Sequence, residues 1–255
     1  MGGISFARAA TYYDATRALP DAAAERVTSL LAGELAGRRH CLEIGVGTGR
    51  VALPLHERGV GVLGIDLARP MLDQLVAKAG GRLPFPLVAG DATRLPFATA
   101  SCEAILACHV LHLVGDWQAA VEEAFRVLTP GGVLLVDFGG GVEMPWSAAT
   151  AQIAAKHGVI AGRPGVSAAG EVAAYLAGRA GCRALPAIPV PVTRTLAQDL
   201  DDWQKQIFSW TWGYTTEQMR AACEDIRRWA AGEGRDLDEP ATAQRTIRWL
   251  AYEST

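Results

Sequence analysis

Cysteine, lysine and long apolar runs are all scarce in this chain of 255 residues. The five cysteines, Cys41, Cys102, Cys108, Cys182 and Cys223, are scattered without a C-x-x-C pair. That pattern argues against a disulfide frame, marks no metal-ligand set and suits a reducing cytoplasm. Cys41, Cys102 and Cys182 fall in or beside apolar strand-like runs and read as small hydrophobes. Lysine occurs 3 times against 21 arginines, which reads as coding bias, and a net charge of −3 provides no field for nucleic acid. No basic stretch leads into an apolar one at the N-terminus, so no signal peptide is expected. The longest apolar run, Ala104–Val114, holds two histidines and is too short for a bilayer. These absences predict a cytoplasmic protein with no membrane or nucleic-acid partner.

What is present is apolar mass in periodic pieces. Hydrophobic residues make up 50% of the chain, enough for one large α/β domain or one domain with an insertion. Asp21–Leu35 reads as a helix with Val27, Leu30, Leu31 and Leu35 on one face and Asp21 as its N-cap. From His40 onward strands are predicted at Cys41–Ile44, Val60–Ile65, Pro86–Ala89, Ala104–Cys108 and Val133–Asp137. Helices are predicted between them at about Gly49–Arg58, Arg69–Ala79 and Asp116–Leu128, with Asp116 as a helix cap. Continuously apolar strands separated by helices imply a parallel sheet covered on both faces. Gly139-Gly140-Gly141 closes this half, as a loop or as an anion nest. Helices at Ala148–His157 and Ala168–Ala180, the second stopped by Gly181, precede a strand at about Ala187–Thr193. Residues 197–235 read as two helices around Ser209–Thr216, and Thr246–Tyr252 as a last strand. Trp203, Trp210, Trp212, Trp229 and Trp249 crowd this tail, either as an aromatic cage or as core.

The densest chemistry lies in Cys41–Arg50, CLEIGVGTGR. A short strand runs into Gly45, Gly47 and Gly49, with Glu43 two residues before the first glycine. Glycines at this spacing let a backbone turn tightly against a ligand, and a helix starting at Arg50 would aim its free N–H groups there. The spacing is G-x-G-x-G, not the G-x-G-x-x-G of dinucleotide folds, and no G-K-[ST] follows as a P-loop needs. An acid inside the turn repels a pyrophosphate and suits a ligand that carries a cation. Asp66 ends the second strand, where a carboxylate can take two ribose hydroxyls or simply cap a helix. Asp91 ends the third, in GDATRLPF, where a carboxylate can accept from an exocyclic amine such as adenine N6.

Together these segments resemble the class I S-adenosylmethionine-dependent methyltransferases, in the ubiquinone/menaquinone-type small-molecule branch. CLEIGVGTGR, GIDLARPML, GDATRLPF, CEAILACHVLHLVGDW and VLTPGGVLLV match that family's motifs in order, over roughly residues 6–140. The resemblance implies a doubly wound, Rossmann-like, seven-stranded and mostly parallel sheet whose last strand is antiparallel. It implies one methyltransferase domain over 1–255, an N-terminal helical lid at 1–39 and a helical cap at 197–235 between strands six and seven. Gly45, Gly47 and Gly49 would pass the methionine part of S-adenosylmethionine, and Glu43 would meet its amino group. Asp66 would take the ribose, Leu67 and Met71 would flank the adenosine, Asp91 would take adenine N6, and Ala92 would offer its N–H. His109 would present a backbone carbonyl beneath the amino group, while Tyr13 and Arg17 would close over the cofactor.

The expected activity is transfer of a methyl group to an O, N, C or S atom of a small molecule, with S-adenosylhomocysteine as product, by a monomer or homodimer. His109 and His112 lie where a general base would act, although a backbone contact at His109 and a packed or solvated His112 are the favoured reading. His112 is the candidate catalytic residue. The alternatives are a non-catalytic S-adenosylmethionine-binding protein and an NAD-dependent oxidoreductase, which the glycine spacing and Asp91 disfavour.

Overall fold

A computed structural model of the chain describes residues 5–254. Residues 1–4 and 255 of the predicted domain and lid lie outside the described residues. Two N-terminal helices, α1 (Tyr13–Arg17) and α2 (Asp21–Glu34), precede the alternating region β1 (Cys41–Ile44), α3 (Ala52–Glu57), β2 (Val62–Asp66), α4 (Arg69–Lys78), β3 (Leu87–Ala89), β4 (Cys102–Cys108), α5 (Trp117–Val127) and β5 (Leu128–Asp137). Then follow α6 (Ser147–Ala155), α7 (Ala169–Tyr175), β6 (Ala180–Ala184), β7 (Ile188–Arg194), α8 (Leu196–Gln204), α9 (Thr216–Gly232), β8 (Ala241–Ile247) and β9 (Trp249–Ser254).

Seven strands form one sheet in the order β3-β2-β1-β4-β5-β9-β6. β1 lies parallel between β2 and β4, with Cys41 opposite both Val62 and Ala104. β5 continues parallel to β4, and β9 runs antiparallel between β5 and β6. This is the expected mostly parallel sheet with one reversed strand. The centre is apolar on both faces because helices cover both. Leu42, Ile44, Ile65, Ile105, Leu134 and Val136 pack there with the inward stripe of α5, Ala120, Val121 and Ala124. Each large side chain so buried contributes roughly 1.5–3 kcal/mol. Asp116 caps α5 as predicted, its Oδ1 accepting from the Ala119 N–H at 3.1 Å.

Several expectations need correction. The sixth strand of the sheet is Ala180–Ala184, within and beyond the predicted helix Ala168–Ala180, and α7 ends at Tyr175. The predicted strand at Ala187–Thr193 is real but pairs with β8 in a separate two-stranded sheet. The cause is position: β6 is an exposed edge carrying no apolar alternation, and there Cys182 is exposed rather than packed as a small hydrophobe. By contrast Ile188, Val190 and Val192 give β7 the stronger strand signature. The predicted last strand, Thr246–Tyr252, is two strands broken at Arg248 as the chain passes from one sheet to the other. Helix α3 starts at Ala52, not at the last glycine, since Gly49 has a left-handed φ of 79° that no right-handed helix accepts. Asp21 is the first helical residue of α2, after Pro20 at the cap position, and makes no side-chain cap.

The described chain divides into two compact units. The first, Met1–Gly139 with Pro164–Ile188 and Ile247–Thr255, holds the seven-stranded sheet. The second, Gly140–Arg163 with Pro189–Thr246, is built on α6, α8 and α9. Its core is Met144, Trp146, Leu196, Leu200, Cys223, Ile226 and Ala230. Trp203 meets Trp210 edge to face at 5.0 Å, and Trp212 Nε1 donates to the Gln206 carbonyl at 2.8 Å. Trp203, Trp210 and Trp229 pack, partly buried, against the core of this unit, which favours core over an aromatic cage. No described helix is long and apolar enough to cross a membrane.

Candidate functional site

Strand order reverses between β1 and β4, and ligands of open α/β sheets bind outside the carboxyl ends of strands at such a point. The glycine turn lies at that place. Gly45, Gly47 and Gly49 all hold left-handed φ, 67°, 55° and 79°. At Gly45 a Cβ would lie 2.6 Å from Val110 Cγ2, so the residue is demanded by close approach as well as by φ. The turn is pinned to β2: the Gly45 and Val46 N–H groups donate to the Ile65 carbonyl at 2.8 and 3.0 Å. Gly47 N–H donates to Asp66 Oδ2 at 2.8 Å, while Asp66 Oδ1 accepts from Ala68 N–H at 2.7 Å. Both oxygens of the predicted ribose acid are thus oriented by backbone, and each keeps a lone pair for a further donor.

Glu43 is the unusual group here. It is 3% exposed, and its Oε2 has no hydrogen-bond partner. Burial pushes its carboxyl up to about 8, against the pull of Arg50 and of the Ala52 N–H. A buried acceptor left open is costly, and it becomes favourable only when a donor or cation arrives.

The other predicted cofactor residues fall around the turn in different conditions. Met71 is buried against Ala10, Ala68, Phe6 and Tyr13, whereas Leu67 is 51% exposed. Asp91 is exposed and ties its own loop, Oδ1 accepting from the Thr93 N–H and hydroxyl at 2.9 Å each. Ala92 follows it, half-buried beside the main core. In α1, Tyr13 meets Phe6 edge to face at 5.8 Å, and the Arg17 carbonyl accepts from Arg50 Nη1 at 3.2 Å. Burial raises the Tyr13 phenol above its usual range. His112 sits in a short 3₁₀ turn, Leu111–Leu113, and its carbonyl accepts from Gly165 N–H at 3.1 Å.

Three further side chains are absent from the predicted set. Asp14 receives the Thr48 hydroxyl at 2.6 Å on one oxygen and the Lys78 ammonium at 3.0 Å on the other, tying α1 to the glycine turn and to α4. Arg50 follows the last glycine and donates towards Cys108 Sγ and His109 Nδ1, both at 3.4 Å. Asp137 ends β5, and its Oδ2 lies 3.1 Å from His109 Nε2. An acid ending a strand beside a histidine ending its neighbour was the signal available for Asp137.

Cys108 Sγ, a His109 ring nitrogen and an Asp137 oxygen lie within 4.8 Å of one another, a possible cation set. The chemistry is against it. The Arg50 guanidinium already contacts two of the three, and burial pushes the Cys108 thiol up to about 12, far from the thiolate a metal needs.

Comparisons with known proteins agree with the geometry. Residues 42–136 match the family described as methyltransferase domain. The demethylmenaquinone methyltransferase of Deinococcus radiodurans is 38% identical over 101 residues, 38% of this chain and 42% of that protein. The malonyl-[acyl-carrier protein] O-methyltransferase of Serratia marcescens is 35% identical over 131 residues, 51% of this chain and 49% of that protein. The matches span about half or less of these curated relatives. The YcgJ protein of Bacillus subtilis, at 18% identity, superposes with a TM-score of 0.62 over 91% of this chain and 99% of its own, which shows the shared fold.

Proposed function

We propose that this chain is a class I S-adenosylmethionine-dependent methyltransferase of the small-molecule branch, which moves a methyl group from S-adenosylmethionine to an O, N, C or S atom of a small molecule and releases S-adenosylhomocysteine. The observation that carries this reading is Glu43. A buried carboxylate with one open oxygen, inside a glycine turn at the strand-order reversal, fits the ammonium group of a methionine moiety. A pyrophosphate in that place would face a buried acid and gain nothing from it.

Each residue then has a task in binding. Glu43 takes the ammonium, with the His109 carbonyl beneath it, and Gly45, Gly47 and Gly49 let the backbone close on the methionine part. Asp66 accepts from the ribose hydroxyls through the lone pairs its backbone bonds leave free. Exposed Leu67 and buried Met71 flank the adenosine, Asp91 accepts from adenine N6 and Ala92 donates its N–H. Tyr13 and Arg17, on α1, cover the cofactor. When bound, the sulfonium supplies an activated methyl group, so the protein's share is alignment of acceptor and donor and exclusion of water. His112, in the 3₁₀ turn Leu111–Leu113, is the base that the sequence nominates. The two curated relatives are named for different acceptors, so neither acceptor transfers to this chain. The protein works as a monomer or homodimer in the cytoplasm on a small molecule, with no nucleic-acid partner.

Calorimetry tests the reading. S-adenosylmethionine and S-adenosylhomocysteine are both expected to bind, and Asp66→Ala to weaken both strongly. Absence of heat with either ligand at millimolar concentration overturns it.

A further inference from the structure

His109 is held more firmly than a backbone contact requires. Its φ is +54°, a left-handed conformation uncommon outside glycine, though histidine is among the residues that enter it more readily, so its neighbours contribute to the constraint. Two bonds to one residue supply that constraint: the His109 N–H donates to the Asp137 carbonyl at 2.8 Å, and Nε2 meets Asp137 Oδ2 at 3.1 Å. Asp137 is itself fixed, with Oδ1 accepting from Gly139 N–H at 2.9 Å. Gly139 closes the arrangement, because a Cβ there would lie 3.2–3.3 Å from three atoms of the imidazole ring.

This geometry selects a tautomer. An ionised carboxylate only accepts, so Nε2 carries the proton and Nδ1 carries the lone pair. Asp137 is ionised: burial works against its charge, but the bonds to His109 and Gly139 outweigh it and lower its pKa. The charged and titratable groups facing the ring include Asp137 from β5, Cys108 from β4 and Arg50 from the turn before α3, with Tyr13 of α1 coupled to Cys108 and Arg50. Arg50 Nη2, 3.4 Å from Nδ1, sits at the outer limit of a hydrogen bond, and among the described residues Arg50 has no carboxylate ion pair.

We propose that His109, rather than His112, removes the acceptor's proton at Nδ1, that Asp137 is its positioning residue, and that Arg50 selects an acceptor whose nucleophile is an acidic hydroxyl, a phenol or enol. This rests on the methyl-transfer reading above. As the acceptor oxygen forms its bond to the methyl carbon, the carbon–sulfur bond breaks with its electron pair going to sulfur. The hydroxyl proton passes to Nδ1 as the Arg50 guanidinium turns from that nitrogen to the acceptor oxygen, and the Asp137 carboxylate offsets the guanidinium's repulsion of the imidazolium so formed. A guanidinium beside the nucleophile favours an oxyanion, which becomes neutral on methylation. It disfavours an amine, which becomes cationic next to it.

The test has a spectroscopic arm and a kinetic arm. Nitrogen-15 ring spectra of the protein saturated with S-adenosylhomocysteine are expected to show His109 protonated at Nε2, with Nδ1 titrating. Asp137→Asn should raise the Nδ1–H tautomer and lower the ring pKa. In the kinetic arm, wild type is offered phenols of graded acidity, with an aliphatic amine and a thiol as controls. His109→Asn, chosen because asparagine tolerates the left-handed backbone, should lose roughly 100- to 10,000-fold in phenol methylation. That loss should shrink as the phenol becomes more acidic and arrives already ionised, while S-adenosylhomocysteine affinity stays within a few-fold. An Nδ1–H tautomer in wild type overturns the proposal. So does a loss independent of phenol acidity, a preference for the amine or thiol, or no phenol turnover. Failure of wild type to bind S-adenosylhomocysteine is a separate outcome, which sinks the methyl-transfer reading itself.

Discussion

The two sides of the strand-order reversal are built by different means. At the ends of β1 and β2 the site is mostly backbone: three left-handed glycines, N–H groups donating to Ile65 and Asp66, and one buried acid. At the ends of β4 and β5 it is mostly side chain, with Arg50, Cys108, His109 and Asp137 joined across long stretches of sequence. A backbone cradle tolerates no substitution that adds a Cβ, but it binds whatever presents the right shape and charge. A side-chain network can be altered one group at a time, so chemistry and cradle should separate under mutation.

The largest effect should come from damage to the backbone side. Gly45→Ala places a Cβ within 2.6 Å of Val110 and demands φ of +67° from an L-residue. Binding of S-adenosylhomocysteine should fall at least about 100-fold, and stability by more than about 1 kcal/mol. Calorimetry and thermal unfolding check both. Cofactor binding within a few-fold of wild type would show that the turn is not the cradle.

Next in size is an effect of protonation on the same side. Glu43 must be ionised to receive an ammonium, and burial holds its carboxyl near 8 in the ligand-free protein. Affinity for S-adenosylhomocysteine should therefore rise about tenfold per pH unit from about pH 6 to 8 and level off above. The ligand-free protein should show the opposite trend. The folded state holds this proton longer than the unfolded chain, so stability falls as pH rises from the ordinary carboxylate range to about 8. Glu43→Gln should flatten both curves. Affinity independent of pH in wild type would mean that no cation meets Glu43.

How much of each side is legible in the sequence follows from how it is built. The glycine turn and Asp66 stand out because a backbone site needs particular residues at fixed local spacing. Asp116 stands out for the same reason, as a cap three residues before its donor, Ala119. Asp137 and Arg50 do not, since nothing within a few residues of either requires the other, and only the parallel pairing of β4 with β5 brings Asp137 to His109. The fold shows the same division. β1, β2, β4 and the second half of β5 are mostly buried and announce themselves as apolar runs, and the half-buried edge strand β3 is apolar too, whereas β6 lies exposed at the other sheet edge and has no pattern to find. β7, with alternating Ile188, Val190 and Val192, shows its strand character but not which sheet it joins.

The smallest effect should come from Asp14, which bridges to the cradle from outside. Its oxygens hold Thr48, inside the glycine turn, and Lys78 of α4, so it ties α1 down beside Tyr13 and Arg17. Asp14 is substantially exposed, so its ion pair with Lys78 is screened and contributes at most about 1 kcal/mol. The Thr48 bond adds a similar amount. Asp14→Ala should therefore lower the melting temperature by no more than a few degrees. It should also speed release of S-adenosylhomocysteine several-fold, because α1 covers the cofactor in the proposed mode. Stopped-flow dissociation, followed beside thermal unfolding, separates the two effects. Faster release with unchanged association makes α1 a lid on the backbone side. A lowered melting temperature with unchanged release makes it a brace for the fold alone, and leaves Tyr13 and Arg17 without a reason to meet the cofactor.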